Sequence, residues 1–123
     1  MIKVGIVGSR SRNSPQDKAL IKSLLLRQIE KGKSFHIVSG GCPRGADRFA
    51  EEIAEELLLP ISIHEPDIEP GCTKAEYARA CYARNTLIAE ESDVIIACWD
   101  GVSRGTKDTI DKAEHLGRTV VIV

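Results

Sequence analysis

The residues best suited to chemistry lie in Ser39-Gly40-Gly41-Cys42-Pro43-Arg44-Gly45-Ala46-Asp47. Gly40 and Gly41 carry no Cβ to hold a bound group away from the backbone. Pro43 keeps Cys42 extended, and Arg44 offers a fork of donors matched to phosphate or carboxylate. The stretch is neither a Walker loop nor a GxGxxG fingerprint. Two further turns share its character: Gly8-Ser9-Arg10, and Trp99-Asp100-Gly101 running into Ser103-Arg104-Gly105-Thr106. Backbone N–H groups at such turns, backed by a helix dipole, favour an anion. Each turn alone is equally an ordinary tight connection with a solvated arginine, so the chemistry depends on whether the fold brings them together.

The elements around the turns decide that. Residues 2–7 form an apolar first strand, and Ser14-Pro15 caps a helix whose expected stripe is Ala19, Leu20, Leu24, Leu25 and Ile29. Gly32 stops it. Phe35-His36-Ile37-Val38 is a second strand, and Ala46, Phe49, Ala50, Ile53, Ala54 and Leu57 mark the buried face of a second helix. Ile61 to His64 is a third strand. Thr73-Lys74-Ala75-Glu76 is a capping box opening a third helix over 74–90. Asp93 to Cys98 is a fourth strand, a short helix with Ile110 and Ala113 inward follows, and 119–123 is the last strand.

Strands alternating with helices predict an α/β fold: a Rossmann-like, doubly wound parallel sheet of five strands in the order 3-2-1-4-5. Helices one and two cover one face, three and four the other. The runs Val94–Ala97 and Val120–Val123 read as strands buried on both sides. The order reverses between strands one and four, and ligands bind at the carboxyl edge beside such a reversal. All the polar turns then share that edge. The candidate ligand-binding set is Gly8, Ser9, Arg10, Ser39, Gly40, Gly41, Arg44, Gly45, Asp47, Arg84, Asn85, Trp99, Asp100, Gly101, Ser103, Arg104, Gly105 and Thr106.

Single residues carry alternatives. Asp47 occupies a first helical turn, where a carboxylate is favourable, and would brace the loop or meet a ribose hydroxyl. Asp100 directly follows a buried strand and is a candidate acid or ribose binder, with Asp108 a second candidate acid. Trp99 either stacks on a base or closes the core. Arg84 reaches phosphate only if the third helix aims it at the crevice, and Asn85 either orients Arg84 or lies on a polar face. Ser9 and Ser39 would need a neighbouring base to act as nucleophiles. His36, His64 and His115 receive no catalytic role, and Tyr77 and Tyr82 read as packing residues.

Composition narrows the classes. The 123 residues are expected to form a single domain, 1–123, with 42% apolar residues, 17 basic and 18 acidic residues and a net charge of −1. That balance argues against nucleic acid as a partner, while leaving room for a local basic pocket. No signal peptide or stretch of roughly 20 apolar residues suits a membrane, so a cytoplasmic location is expected. Cys42, Cys72, Cys81 and Cys98 lack CxxC spacing, which fits reduced thiols and no metal site. The 74–90 helix is apolar on more than one side, through Ala75, Tyr77, Ala78, Cys81, Tyr82, Leu87 and Ile88 among others. This surplus suggests a homodimer packed through it.

In their order and spacing these pieces resemble the SLOG superfamily of Rossmann-like nucleotide-binding domains, and within it the YspA-like group. The resemblance rests on Val7-Gly8-Ser9-Arg10, Ser39-Gly40-Gly41 with Arg44-Gly45-Ala46-Asp47, Arg84-Asn85, Trp99-Asp100-Gly101 and Ser103-Arg104-Gly105-Thr106. It implies a small-molecule partner, a nucleotide or ADP-ribose-like ligand, in a sensor or binding module with no required cofactor. Related families imply two alternatives. The LOG-type phosphoribohydrolases suggest an N-glycosidic hydrolase or a deoxyribosyltransferase-like enzyme, and the DNA-processing protein A family suggests a single-stranded DNA-binding module. The LOG motif PGGxGTxxE is met at Gly105-Thr106, but its glutamate position is Thr109, which is never a carboxylate. Asp108 stands one step away, about 100° around the helix. Against the DNA-processing family, the spacing from Ser-Gly to Arg-Gly is one residue longer, at Cys42-Pro43.

Overall fold

A computed structural model describes residues 1–123. Its strands β1 (Ile2–Gly8), β2 (Phe35–Ser39), β3 (Ile61–Ile63), β4 (Val94–Cys98) and β5 (Thr119–Ile122) pair in parallel in the order β3-β2-β1-β4-β5. The helices are α1 (Pro15–Glu30), α2 (Ala46–Glu56), α3 (Lys74–Glu91) and α4 (Arg104–His115). This is the expected Rossmann-like α/β fold. β1 is central, with Val4 beside Ile37 on one flank and Val94 on the other.

Alternation along the strands splits the core between the two faces. Val4, Ile6, Ile37 and Ile96 pack with Ile21 and Leu25 of α1 and Phe49, Ala50 and Ile53 of α2. Val7, Val38, Ile95 and Ala97 pack with Ile88 and Ala89 of α3 and Ile110 and Ala113 of α4. Fully burying one such aliphatic side chain is worth about 1.5–3 kcal/mol, so each helix is fastened by a few residues.

Two expectations about packing are corrected. On α1 the buried residues are Ile21 and Leu25, one turn apart, whereas Ala19 and Leu20 face outward. β5 is not buried on both sides: it is the edge strand beyond β4, paired on one side only, and Val121 and Ile122, which point to opposite faces, are both exposed. No helix is long and apolar enough to cross a membrane.

Helix starts follow the local sequence. Ser14 Oγ accepts from the Asp17 amide at 3.1 Å while Asp17 returns a bond to the Ser14 amide. Thr73 and Glu76 repeat the arrangement on α3. α2 and α4 begin at Gly45 and Ser103 with no side-chain cap. At its other end α3 is fixed to the sheet by Glu91, which accepts from Lys3 Nζ at 3.2 Å and lies 2.6 Å from His64 Nε2.

Candidate anion-binding crevice

The turns after β1 and β4 are stitched together where the strand order reverses. The Ser9 amide donates to the Cys98 carbonyl at 2.9 Å, and the Asp100 amide donates to Ser9 Oγ at 3.1 Å. Ser9 Oγ also lies 3.4 Å from Thr106 Oγ1, tying the first turn to the start of α4. Asp100 receives Ser11 Oγ at 2.7 Å on one oxygen and the amides of Val102 and Ser103 at 2.9 and 2.8 Å on the other. The Ser11 hydroxyl, joined by those two amides, holds its carboxyl far below the ordinary carboxylate range. Asp100 is therefore a fixed turn-forming acceptor with no proton to give as a general acid. Asp108 is also occupied, accepting from Asn85 Nδ2 at 3.1 Å and pairing with Lys112 at 2.9 Å.

The turn after β2 is braced from within. Asp47 Oδ2 accepts from the Cys42 amide at 3.0 Å, and Ser39 Oγ donates to the Asp47 carbonyl at 3.4 Å. Burial pushes the Asp47 carboxyl up, against the opposing pull of the Cys42 amide and the Arg84 charge. Arg84 reaches across from α3, donating to the Gly40 carbonyl through Nη1 and to Asn85 Oδ1 at 3.0 Å through Nε. Asn85, buried, orients it and also bridges to the Gly105 carbonyl of α4 at 3.2 Å. A Cβ on Gly40 would stand 2.9 Å from both Arg84 Cζ and Asp47 Oδ2. The bare backbone at Gly40 thus admits the protein's own guanidinium and carboxylate, rather than lying open to a ligand.

Between these turns and α3 lies a crevice of about 440 Å³. The structure brings Gly8, Ser9, Arg10, Arg44, Asp47, Arg84, Asn85, Asp100, Ser103, Gly105 and Thr106 to its walls, with Thr109 beside them. Gly40 and Gly41 line an adjoining groove of about 500 Å³ that shares Arg10, Arg44 and Arg84 with the crevice. Trp99, Gly101, Arg104 and Asp108 line a separate hollow of about 450 Å³ on the α4 side. Ser39 and Gly45 line none of the three and act as braces. At Gly45 (φ +68°) a Cβ would meet the Ser9 carbonyl at 2.9 Å, and its amide donates to Asn13 Oδ1 at 2.8 Å.

The electrostatics of the crevice are local. Arg44 and Arg104 are exposed and make no ion pair or side-chain hydrogen bond. Beside Gly105, where an added Cβ would meet open space, α4 starts without a side-chain cap. Its first amides and the positive end of its dipole are thus available to an anion.

Two aromatic residues of the wall escape the sequence-level assignment. Tyr77 and Tyr82 read as packing residues, yet they are 41% and 37% exposed and both line the crevice. The Tyr77 hydroxyl accepts from Arg10 Nη2 at 3.2 Å. Their signal is the second apolar side of α3: Tyr77, Ala78, Cys81, Tyr82 and Ile88 all line the crevice, which accounts for much of that surplus without a second copy of the chain.

No protein-family model and no curated protein matches the chain. Among solved structures, DNA processing protein A from Streptococcus pneumoniae superposes with a TM-score of 0.77 at 20% identity, covering 99% of this chain and 50% of that one. DNA processing protein A from Helicobacter pylori superposes with a TM-score of 0.66 at 24% identity, covering 98% of this chain and 64% of that one. The fold is shared. The chain spans half of the first protein's length and under two thirds of the second's. The Helicobacter pylori protein is described by its single-stranded DNA binding mode. That finding overturns the expectation that nucleic acid is an unlikely partner. The physical reason is that net charge averages over the whole surface, whereas Arg10, Arg44 and Arg84 gather at one edge.

Proposed function

We propose that this chain is a SLOG-type domain that binds single-stranded DNA by its phosphates, in the crevice at the carboxyl edge of the sheet. The observation carrying the reading is the convergence of Arg10, Arg44 and Arg84 on one cavity beside the uncapped start of α4. Arg44 is free of any internal partner, so its guanidinium can pair with a phosphate without breaking an existing contact. Ser9, Ser103 and Thr106 add hydroxyls on the same wall. The likeness to DNA-processing folds supports a polynucleotide over other phosphorylated ligands.

A second reading is a free nucleotide or ADP-ribose-like ligand. It is favoured by the volume of the crevice, about 440 Å³, which falls in the small-ligand range of about 300–1,000 Å³. Calorimetry with an oligothymidylate, ADP-ribose, AMP and thymidine separates the readings. The DNA reading expects the oligothymidylate to bind most tightly and thymidine not at all. Tighter binding of ADP-ribose than of the oligonucleotide would favour the second reading, and equal binding of thymidine and the phosphorylated ligands would contradict both.

A further inference from the structure

Resting on the reading of the crevice as a single-strand site, we infer that it is the middle of a longer track, with Tyr77 and Tyr82 as stacking platforms between successive nucleotides. Tyr77 lines both the crevice and the groove beside Gly40, and Tyr82 lines both the crevice and the hollow that holds Trp99 and Arg104. Each compartment boundary is therefore marked by an aromatic ring. The two positions are five residues apart on α3, about 7.5 Å along its axis, so they are separate platforms and not one stack.

Both rings are held in place while remaining open. Arg10 fixes the Tyr77 hydroxyl at 3.2 Å. The Lys112 ammonium sits 5.8 Å from the centroid of the Tyr82 ring, and Lys112 also donates to the Tyr82 carbonyl at 2.6 Å. Each ring leaves about two fifths of its residue's surface to water on a crevice wall that also carries Arg10, Arg44 and Arg84. Unpaired cations occur on both sides of the Tyr82 boundary, Arg44 in the crevice and Arg104 in the outer hollow. Rings that stack bases in alternation with cations that meet phosphates are the requirement of a sequence-tolerant single-strand surface. Trp99, the only tryptophan of the chain, is pinned in the outer hollow by its Nε1 donating to the Ser103 carbonyl at 3.0 Å.

The test uses the full chain with 5′-phosphorylated thymidylates of one and six nucleotides at low salt, reading affinity by calorimetry and occupancy of the outer hollow by Trp99 fluorescence. The hexamer is expected to bind at least about tenfold more tightly than the monomer and to quench Trp99, while the monomer leaves the fluorescence unchanged. Tyr82→Ala should reduce the ratio of hexamer to monomer affinity by about tenfold, the scale of one lost stacking contact. Tyr82→Phe, which keeps the ring, should restore the ratio. Equal affinities for the two lengths, with both saturating, would overturn the track while leaving the crevice as a nucleotide site. Binding of neither would overturn both. A length preference untouched by Tyr82→Ala, in a variant with wild-type circular dichroism, would place the longer strand elsewhere.

Discussion

Arg44 and Arg84 divide binding from bracing. Arg44 has no partner in the protein, so Arg44→Ala should leave the melting temperature unchanged. It should weaken oligonucleotide binding by about 1.5–3 kcal/mol, the value of a hydrogen bond to a charged group. Arg84 holds the Gly40 carbonyl and is oriented by Asn85, so Arg84→Ala should lower both affinity and melting temperature, by calorimetry and thermal denaturation respectively. Gly45 tests the brace alone. Its φ of +68° with ψ of −145° belongs to a region essentially reserved for glycine, and Gly45→Ala should cost about 1–3 kcal/mol in urea titrations. For catalysis, the position that the resemblance to LOG-type enzymes assigns to glutamate is Thr109, which is no carboxylate, Asp100 is locked in its turn and Asp108 is paired. The unmodified chain should therefore release no free base from AMP, as followed by chromatography. Abundant adenine, abolished by Asp108→Asn, would contradict that account.

At the scale of the element, much was legible because local and long-range signals agree. Ser14 and Pro15, like Thr73 and Glu76, announce helix starts that the structure keeps, and the apolar stripes of α2 and α4 match their buried faces. The stripe of α1 holds at Leu24, Leu25 and Ile29 but takes Ala19 and Leu20 in place of Ile21, because Leu20, Ile21, Leu24 and Leu25 offer two overlapping faces and only packing on the sheet chooses between them. Tyr77 and Tyr82 were illegible for a related reason: an aromatic on a helix has the same spacing whether it meets a core or a cavity. The cap of α1 makes a prediction. Burial would raise the Asp17 carboxyl, but Arg12 and the Ser14 amide and hydroxyl outweigh it and hold it below its usual value. A carboxyl lowered in the fold stabilises above its unfolded pKa of about 3.9 and loses that contribution as pH falls through the lower folded value. Asp17→Asn should thus cost about 0.3–1 kcal/mol near pH 6, the scale of a carboxylate in a first helical turn. The gap from the parent should close as thermal melts are taken towards pH 2.

At the scale of the molecule, the fold collects charge that the composition hides. A chain of net charge −1 brings arginines from the β1 turn, the β2 turn and α3 to one edge of its sheet. Sequence order alone could place the turns at that edge, through the 3-2-1-4-5 topology. It could not show that Arg84 is taken up in bracing or that Arg104 lies one compartment away from Arg44. The central claim is that a few local cations bind the phosphates of a single strand. It is tested most directly by the salt dependence of oligothymidylate affinity in the parent and in Arg44→Ala. About two or three phosphate contacts at a slope of about 0.7 each predict that log K falls by roughly 1.4–2.1 per decade of salt, and that Arg44→Ala removes about 0.7 of this slope. An affinity indifferent to salt, or an Arg44→Ala variant with the parent's affinity and slope, would contradict the account.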